Sequence, residues 1–589
     1  MIDRRIRSGE FPLRAIIFVW LALCGLLLAG SAANIAEGRF PDPDDSLRLV
    51  QVRDLLAGQG WFDFHQYRID PPQGTWMHWS RLVDIPLAGL ILVLSPLLGQ
   101  PAAETITLIL VPLLTMGVMI AIVGRLAWRL LGREAAIMAS LCAGLLPMLV
   151  MQMQPLRIDH HGWQIVSVAA ALFAISGRNA LRNGALAGIA ISAGLIISIE
   201  LLPMSAAFGA VLALRWLRDR KERLWLVGYL QGLALGLVGL FLLARGWSDL
   251  VQYCDVISLA HIGFFVTVAL GTGFVATLPA MPRPALAMLL GLVAVAGIAV
   301  FGAASPACLG TPFGKLDPLV RDYWYVNVRE GMPIWKQAAG NAIAQLLQVL
   351  VALGAAIALH FRSHDWLRNW WLDYAVLLLL AILAGSLVWR SMAFAAVIAL
   401  VPLGWLVASM LDKLRHAAKP LRKLGFAAGL LTILLPNGPT MAVAALEPKD
   451  EDEVTLAVAK SSCELAEGTP LLKQLAPGTI FAPLDIGPSL LRDSHHGVIA
   501  TGHHRSEAAM RDVIEAYISA EPRARQIIDE HQADYIVVCD DVLEPALYAH
   551  DGGDRGFMNL LLTDRAPDWL EPVDVGAQPS FRVWRIRRP

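Results

Sequence analysis

Apolar runs of roughly 20 residues recur along this chain to about residue 441, and each is long enough to cross a ~30 Å hydrocarbon core as a helix. Charged residues make up only 16% of the chain, against roughly 25% in soluble domains. Mean hydropathy is +0.55, and the net charge of −1 gives no basis for nucleic-acid binding. The sequence therefore specifies a polytopic α-helical membrane protein.

The basic residues set its orientation, because loops facing the cytoplasm carry the Lys/Arg excess. Arg4, Arg5, Arg7 and Arg14 precede a run that continues to Ala33 with no small-x-small cleavage site before it ends. This reads as a first span with a cytoplasmic N-terminus rather than as a signal peptide. Later basic loops, above all Arg215, Arg218, Arg220, Lys221 and Arg223, fall inside if there are about thirteen crossings. The expected spans lie at roughly 14–33, 105–124, 135–153, 162–177, 184–200, 202–216, 224–245, 258–280, 284–303, 342–360, 370–388, 392–411 and 424–441. The short segment Ile85–Leu98, with Pro86 and Pro96, is expected to be re-entrant or interfacial. Counting it as a crossing would turn every later basic loop outward.

This parity gives a transmembrane region, 1–441, with a first external loop at 34–104 and a further one at 304–338. Residues 444–589 form a soluble extracytoplasmic domain on the outer side of an inner (plasma) membrane. The acid run Glu447–Glu453 marks the linker. Strand-like runs at Thr479–Leu484, Val498–Thr501, Tyr535–Cys539 and Phe581–Ile586 alternate with helical stretches at Ser506–Ser519 and Arg523–Gln532, so a small α/β domain is expected. Cys24, Cys142, Cys254 and Cys308 read as small buried hydrophobes. Cys463 and Cys539 lie in the tail, where an oxidising compartment permits pairing, although spacing does not decide it.

The same parity collects polar groups on one side. The first loop opens with Asp42, Asp44 and Asp45. The third span emerges at Asp159-His160-His161, the later loop carries Glu330, and Arg390 ends the eleventh span. Carboxylates joined by an imidazole suit a divalent metal, Mg²⁺ or Mn²⁺, with the histidine favouring Mn²⁺ or a softer ion. An arginine beside them suits a phosphate. Each feature also has a plainer reading: solvated acids, a helix cap at Asp159, a polar loop at Glu330, a snorkelling arginine. Glu200, an acid embedded beside a helix turn, is a functional candidate by default, although a short external turn accounts for it equally. In the tail, Asp485, His495, His496, His503, His504 and Arg505 form a metal- or acceptor-binding candidate, or simply a polar surface.

These residues carry a resemblance. Asp42-Pro43-x-x-x-x-Arg48 resembles the first-loop motif of oligosaccharyltransferase catalytic subunits, which are GT-C class membrane glycosyltransferases. Pro71-Pro72-x-Gly74 and His78-Trp79 are similar to the turn and aromatic patch later in that loop, which makes His78, Trp79 and His160 candidate acceptor or loop residues. Asp159-His160-His161 resembles the family's second acidic motif in its archaeal Asp-x-His form. Val328-Arg329-Glu330-Gly331-Met332-Pro333 resembles its later Glu-and-Pro motif without the leading hydroxyl residue. Arg390 looks like the arginine that contacts donor phosphate. The family's Trp-Trp-Asp-Tyr-Gly run is missing from the tail. Trp370-Trp371-Leu372-Asp373-Tyr374 is similar by eye, but is read as interfacial aromatics at the start of a span.

The resemblance implies a metal-dependent glycosyltransferase that moves a sugar or oligosaccharide from a polyprenyl-phosphate- or pyrophosphate-linked donor to an acceptor at the outer membrane face. The expected metal ligands are Asp42, Asp159 and His161, with Asp44 or Asp45 as substitutes for Asp42. Glu330 would orient or deprotonate the acceptor and Arg390 would bind donor phosphate, with lipid tails between the spans. A transporter or flippase for a lipid-linked glycan is the alternative, and a non-catalytic assembly factor a third. Neither internal repeats nor clearly broken midplane helices favour transport.

Overall fold

The computed structural model describes residues 10–435 and 463–588, except 248–249, 311–312 and 315. Arg4, Arg5, Arg7, the linker acids Glu447–Glu453 and the expected boundary at 441–444 lie outside the described residues.

Helices occupy all thirteen stretches expected to span. Among the described residues, ten helices are long and apolar enough to cross a membrane, from Leu13–Gly30 to Trp389–His416. The other three stretches depart in recognisable ways. Pro147 follows a break that splits the third into Arg133–Cys142 and Pro147–Met151. The fourth is the shorter helix His161–Ala174. The last, Pro420–Leu434, reaches the edge of the described residues.

Six helices position the site. The first loop folds as α1 (Pro43–Leu56) and α2 (Asp84–Leu98), followed by α3 (Gln100–Leu131). After them come α4 (His161–Ala174), α5 (Asp365–Leu387) and α6 (Met392–His416). Nearly every residue of α6 from Met392 to Gly404 is buried, as expected of a helix that is apolar on all sides and lies at the centre of a bundle. A Cβ at Gly404 would lie 2.4 Å from the Ala139 backbone nitrogen, so glycine permits that crossing.

The start of α2 and the first turns of α3 are both tied to α1. Arg48 pairs with Asp84 at 3.0 Å, and Arg53 pairs with Glu104, near the start of α3, at 2.7 Å. Arg48 and Arg53 stand only about 7.5 Å apart along their helix. Asp84 and Glu104, on either side of this segment, thus contact the same helix.

The tail is an α/β domain with a five-stranded sheet. Its strands are β1 (Thr479–Phe481), β2 (Gly497–Val498), β3 (Tyr535–Cys539), β4 (Leu570–Pro572) and β5 (Phe581–Ile586), in the order β2-β1-β3-β5-β4. β2, β1 and β3 run parallel, while β5 is antiparallel to β3 and β4. The sequence did not show β4, a three-residue edge strand that ends in Pro572. The first loop covers the opposite edge. Asp70 donates its backbone N–H to Val498 O at 2.9 Å, and Val498 donates to Arg68 O at 2.8 Å. Leu47, Val50, Ile69, Met77 and Trp79 share one apolar core with Ile480, Val498 and Val537. Val320, in the later loop, is buried in the tail's second core. Two loops and the tail thus form one packed cap over the helices.

Two expectations are corrected. Cys254 and Cys308 are joined in a disulfide, as are Cys463 and Cys539, while Cys24 and Cys142 are free and buried. Sequence separation hid the first pair: the partners sit on different loops, 54 residues apart, that only the helix packing brings together. Trp370 and Trp371 are not interfacial. They are 2% and 0% exposed in the helical core, beside Asp373, which binds Arg215 and Arg218.

Candidate active site

The carboxylates of the first loop converge on one guanidinium. Asp42 caps α1, taking the Asp44 backbone N–H on Oδ1 at 2.9 Å, and leaves Oδ2 for Arg157 Nη1 at 2.8 Å. Asp45, fully buried, accepts the N–H groups of Ile158 and Asp159 at 2.8 and 3.0 Å and meets Arg157 at 3.2 Å. Asp45 thus joins α1 to the loop that carries Asp159. On its other side Arg157 pairs with Asp159 at 2.9 Å and lies 4.0 Å from Glu330.

A second arginine closes the group. Arg390 Nε is 3.1 Å from Glu200 and its Nη1 is 3.1 Å from Glu330. Trp389 donates its N–H to Met332 O at 3.1 Å, which fixes the Glu330 loop beside the end of α5. His161 stands between these groups. It is 3.5 Å from Asp159, 3.7 Å from Glu200 and 4.0 Å from Glu330. Asp159 Oδ1 also accepts the His161 backbone N–H at 3.0 Å, so one side chain both caps α4 locally and faces the cluster.

Electrostatics separates the acids. Burial alone would raise Asp159, but Arg157, then His161 and His160, hold it well below the usual carboxylate range. Asp44 is pushed well above that range by burial and by the neighbouring Asp42, Asp159 and Glu330. Burial also pushes Asp45 well up, against the pull of Arg157. Burial would lower Arg157, yet Asp159, Asp45, Asp42 and Glu330 hold it well above its ordinary value.

Asp42, Asp44, Asp45, Asp159, His160, His161, Glu330 and Arg390 all belong to this cluster. Sequence reasoning missed Arg157. It lies two residues before Asp159 in a segment already singled out, and an arginine facing acids against the positive-inside bias was the available signal. Glu200 takes its place here rather than in a bare turn. His78 and Trp79 face the tail: His78 Nδ1 is 2.8 Å from His503 Nε2, and the Trp79 ring lies 4.6 Å from the Arg48 guanidinium carbon. The tail group divides. Asp485 comes under the influence of Asp42, and His496 bonds backbone carbonyls at Leu472 and Gly478. His503, His504 and Arg505 gather around His78 and Asp255.

Solved structures share this arrangement of helices and cap. The archaeal oligosaccharyltransferase AglB from Archaeoglobus fulgidus, in complex with an inhibitory peptide and a dolichol-phosphate, superposes with a TM-score of 0.63 at 13% identity, over 96% of this chain and 73% of that one. The chain has an oligosaccharyltransferase fold. The A. fulgidus enzyme tethered to an acceptor peptide containing the NVT sequon matches with a TM-score of 0.58 at 12% identity, over 98% and 74%. Its complex with Zn and sulfate matches at 0.55 and 13%, over 97% and 73%. No family model matches the sequence, and neither does any curated protein. The likeness therefore lies in the fold, at an identity where sequence comparison fails.

One ligand atom each from Asp159, His160 and His161 lies within 4.8 Å of the others. Asp159 Oδ2 faces Arg157 at 2.9 Å, and both ring nitrogens of His160 are buried without a hydrogen-bond partner. Buried polar atoms are normally satisfied, so an unpartnered imidazole beside a carboxylate suits a bound cation. One carboxylate with two imidazoles favours Mn²⁺ or a softer ion over Mg²⁺.

Proposed function

We propose that the chain is a membrane glycosyltransferase that takes its sugar or oligosaccharide from a polyprenyl-phosphate- or pyrophosphate-linked donor, at the outer face of an inner membrane. One observation carries this reading: Asp42, Asp159, His161, Glu330 and Arg390 come from four separate parts of the chain yet join one network of ion-pair distances through Arg157 and Glu330. In the fold neighbours, one structure holds a dolichol-phosphate and a peptide, and another holds Zn and sulfate. These support a lipid-phosphate donor, and a metal beside an anion.

In this reading Asp159 and His161, with His160 and Asp42, hold the divalent metal. Bound there, the ion would neutralise charge developing on the departing phosphate. Arg390 offers donor phosphate a fork of N–H groups already oriented by Glu200. Glu330 releases its hold on Arg390 and positions the acceptor or takes its proton. Arg157 keeps Asp159 ionised and holds the carboxylates together before substrate arrives. Asp45, whose oxygens are taken up by two backbone N–H groups and Arg157, is a positioning residue. Asp42 also shares its oxygens with the Asp44 N–H and Arg157, but it is partly exposed where Asp45 is fully buried, and this reading keeps it as the first-loop ligand, with Asp44 beside it.

The test is transfer of labelled sugar from a polyprenyl-phosphate-linked donor by purified chain, with chelator and then with Mn²⁺. Activity that chelator removes and Mn²⁺ restores, and that R390L abolishes, is expected. Transfer that D159N and R390L leave at the unmodified rate would sink the reading.

A further inference from the structure

A second group of metal-ligating side chains lies between the tail and the helical body, outside the Arg157 cluster. His78 comes from the first loop, Asp255 from the loop before Leu259–Thr277, and His503 and His504 from the tail. One ligand atom each from His78, Asp255 and His504 lies within 4.8 Å of the others. His504 Nε2 is 2.7 Å from Asp255 Oδ2, and His503 Nε2 is 2.8 Å from His78 Nδ1.

The histidines are poorly satisfied as they stand. His503 is 4% exposed, and its Nδ1 is buried with no hydrogen-bond partner. Two imidazole nitrogens facing each other at 2.8 Å share a single proton at best. In a tetrahedral Zn²⁺ site, with Zn–N near 2.0–2.1 Å, ligand nitrogens stand about 3.3 Å apart.

The surroundings hold the ligands in place. Arg505 grips Asp255 through two bonds, at 2.9 and 2.8 Å, and the Cys254–Cys308 disulfide anchors the residue before it. The Trp324 ring stacks on His504 at 6.2 Å. Such supporting contacts orient ligands in metal sites. An imidazole-rich set selects Zn²⁺ and related ions over Mg²⁺ and Ca²⁺.

We propose that His78, Asp255 and His504 form a Zn²⁺-class structural site, supported by His503 against His78, that clasps the tail domain to the first loop and to the helical body. It is distinct from the metal of the proposed transfer reaction and stands whether or not that reaction is correct.

The test uses the full chain in detergent, stripped with chelator and carrying D159N and H161Q to silence the first cluster. Titration with Co²⁺ is expected to give one equivalent of tight binding with the visible absorption of a four-coordinate ion. That absorption should vanish in H504Q and persist in H495Q, whose side chain lies outside the group and bonds the Leu475 carbonyl. No visible absorption, or absorption indifferent to H504Q, overturns the proposal. If H504Q does not fold, X-ray absorption on the D159N/H161Q chain loaded with Zn²⁺ decides: two or more imidazole ligands support the site and fewer overturn it. Zn²⁺ should also raise the unfolding temperature of that chain, since a structural ion binds the folded state alone.

Discussion

On α5, Asp373 is held by Arg215 and Arg218, while past its far end Arg390 is held by Glu200 and Glu330. The two sites are about 25 Å apart along the helix. Around Asp373 one acid meets two arginines, and the Trp225 and Trp370 rings lie against Arg215. Among the described buried atoms without a partner, none belongs to these three charged residues. The other cluster gathers six acids, Asp42, Asp44, Asp45, Asp159, Glu200 and Glu330, against two arginines, Arg157 and Arg390, and crowding and burial push Asp44 and Asp45 well above the usual carboxylate range. It also leaves both ring nitrogens of the buried His160 without a partner. A buried ion group that is complete acts as a pin. One that is over-acidic and incomplete has room for a cation and an anionic ligand that the chain does not itself supply.

The largest expected effect falls on the incomplete cluster. D159N removes a ligand and a partner of Arg157, and transfer should fall on the order of 10³-fold, about 4 kcal/mol, while thermal unfolding in detergent changes little. A loss of folding as large as the loss of rate would make this cluster a pin as well, and erase the contrast. D373N should do the reverse. It strands the buried Arg215 beside a partly exposed Arg218, so stability falls by about 3 kcal/mol while activity per folded molecule stays within about twofold. Unfolding temperature and active-site-normalised rate, measured on one preparation, separate the two.

E200Q is a gentler probe, because it removes a support of Arg390 rather than a ligand. Transfer should fall about 10-fold, mainly through KM for the donor, as expected if Arg390 binds donor phosphate. A fall confined to kcat would break that assignment. The smallest effect concerns a buried acid with donors but no cation. Glu544 accepts the N–H groups of Leu484 and Asp485 at 2.7 and 2.8 Å and the Tyr548 hydroxyl. Burial, then the neighbouring Asp485, push its carboxyl up to about 8. Its folded value lies above its unfolded value of about 4.3, so its contribution is fully present below pH ~4.3 and is lost as pH rises towards 8. The unfolding temperature should decline over that window, and E544Q should flatten the decline. A slope that E544Q leaves unchanged would refute this assignment.

Much of the fold was legible because membrane spans announce themselves in one dimension. Every expected span coincides with a helix, and ten of those helices are long and apolar enough to cross a membrane among the described residues. The candidate site was legible in part, because Asp42, Asp159, Glu330 and Arg390 sit at span ends where a polar residue stands out. Arg157 was not. It was one more charged residue in a short polar segment, and its role depends on three carboxylates from elsewhere. Trp370 and Trp371 were misplaced because aromatics near a span end look alike whether they face lipid or a neighbouring helix.

The sequence alone determined the class and the residue types able to hold metal and phosphate, because hydropathy and charge are local properties read along the chain. Tertiary structure decided which charges meet. It spent Asp45 on joining α1 to the Asp159 loop, set Arg157 among the acids, paired Cys254 with Cys308 and brought His78 to His503 and His504. Each of these is a contact between segments far apart in the chain, and ion pairing and ligation depend on distances in space that residue order does not encode.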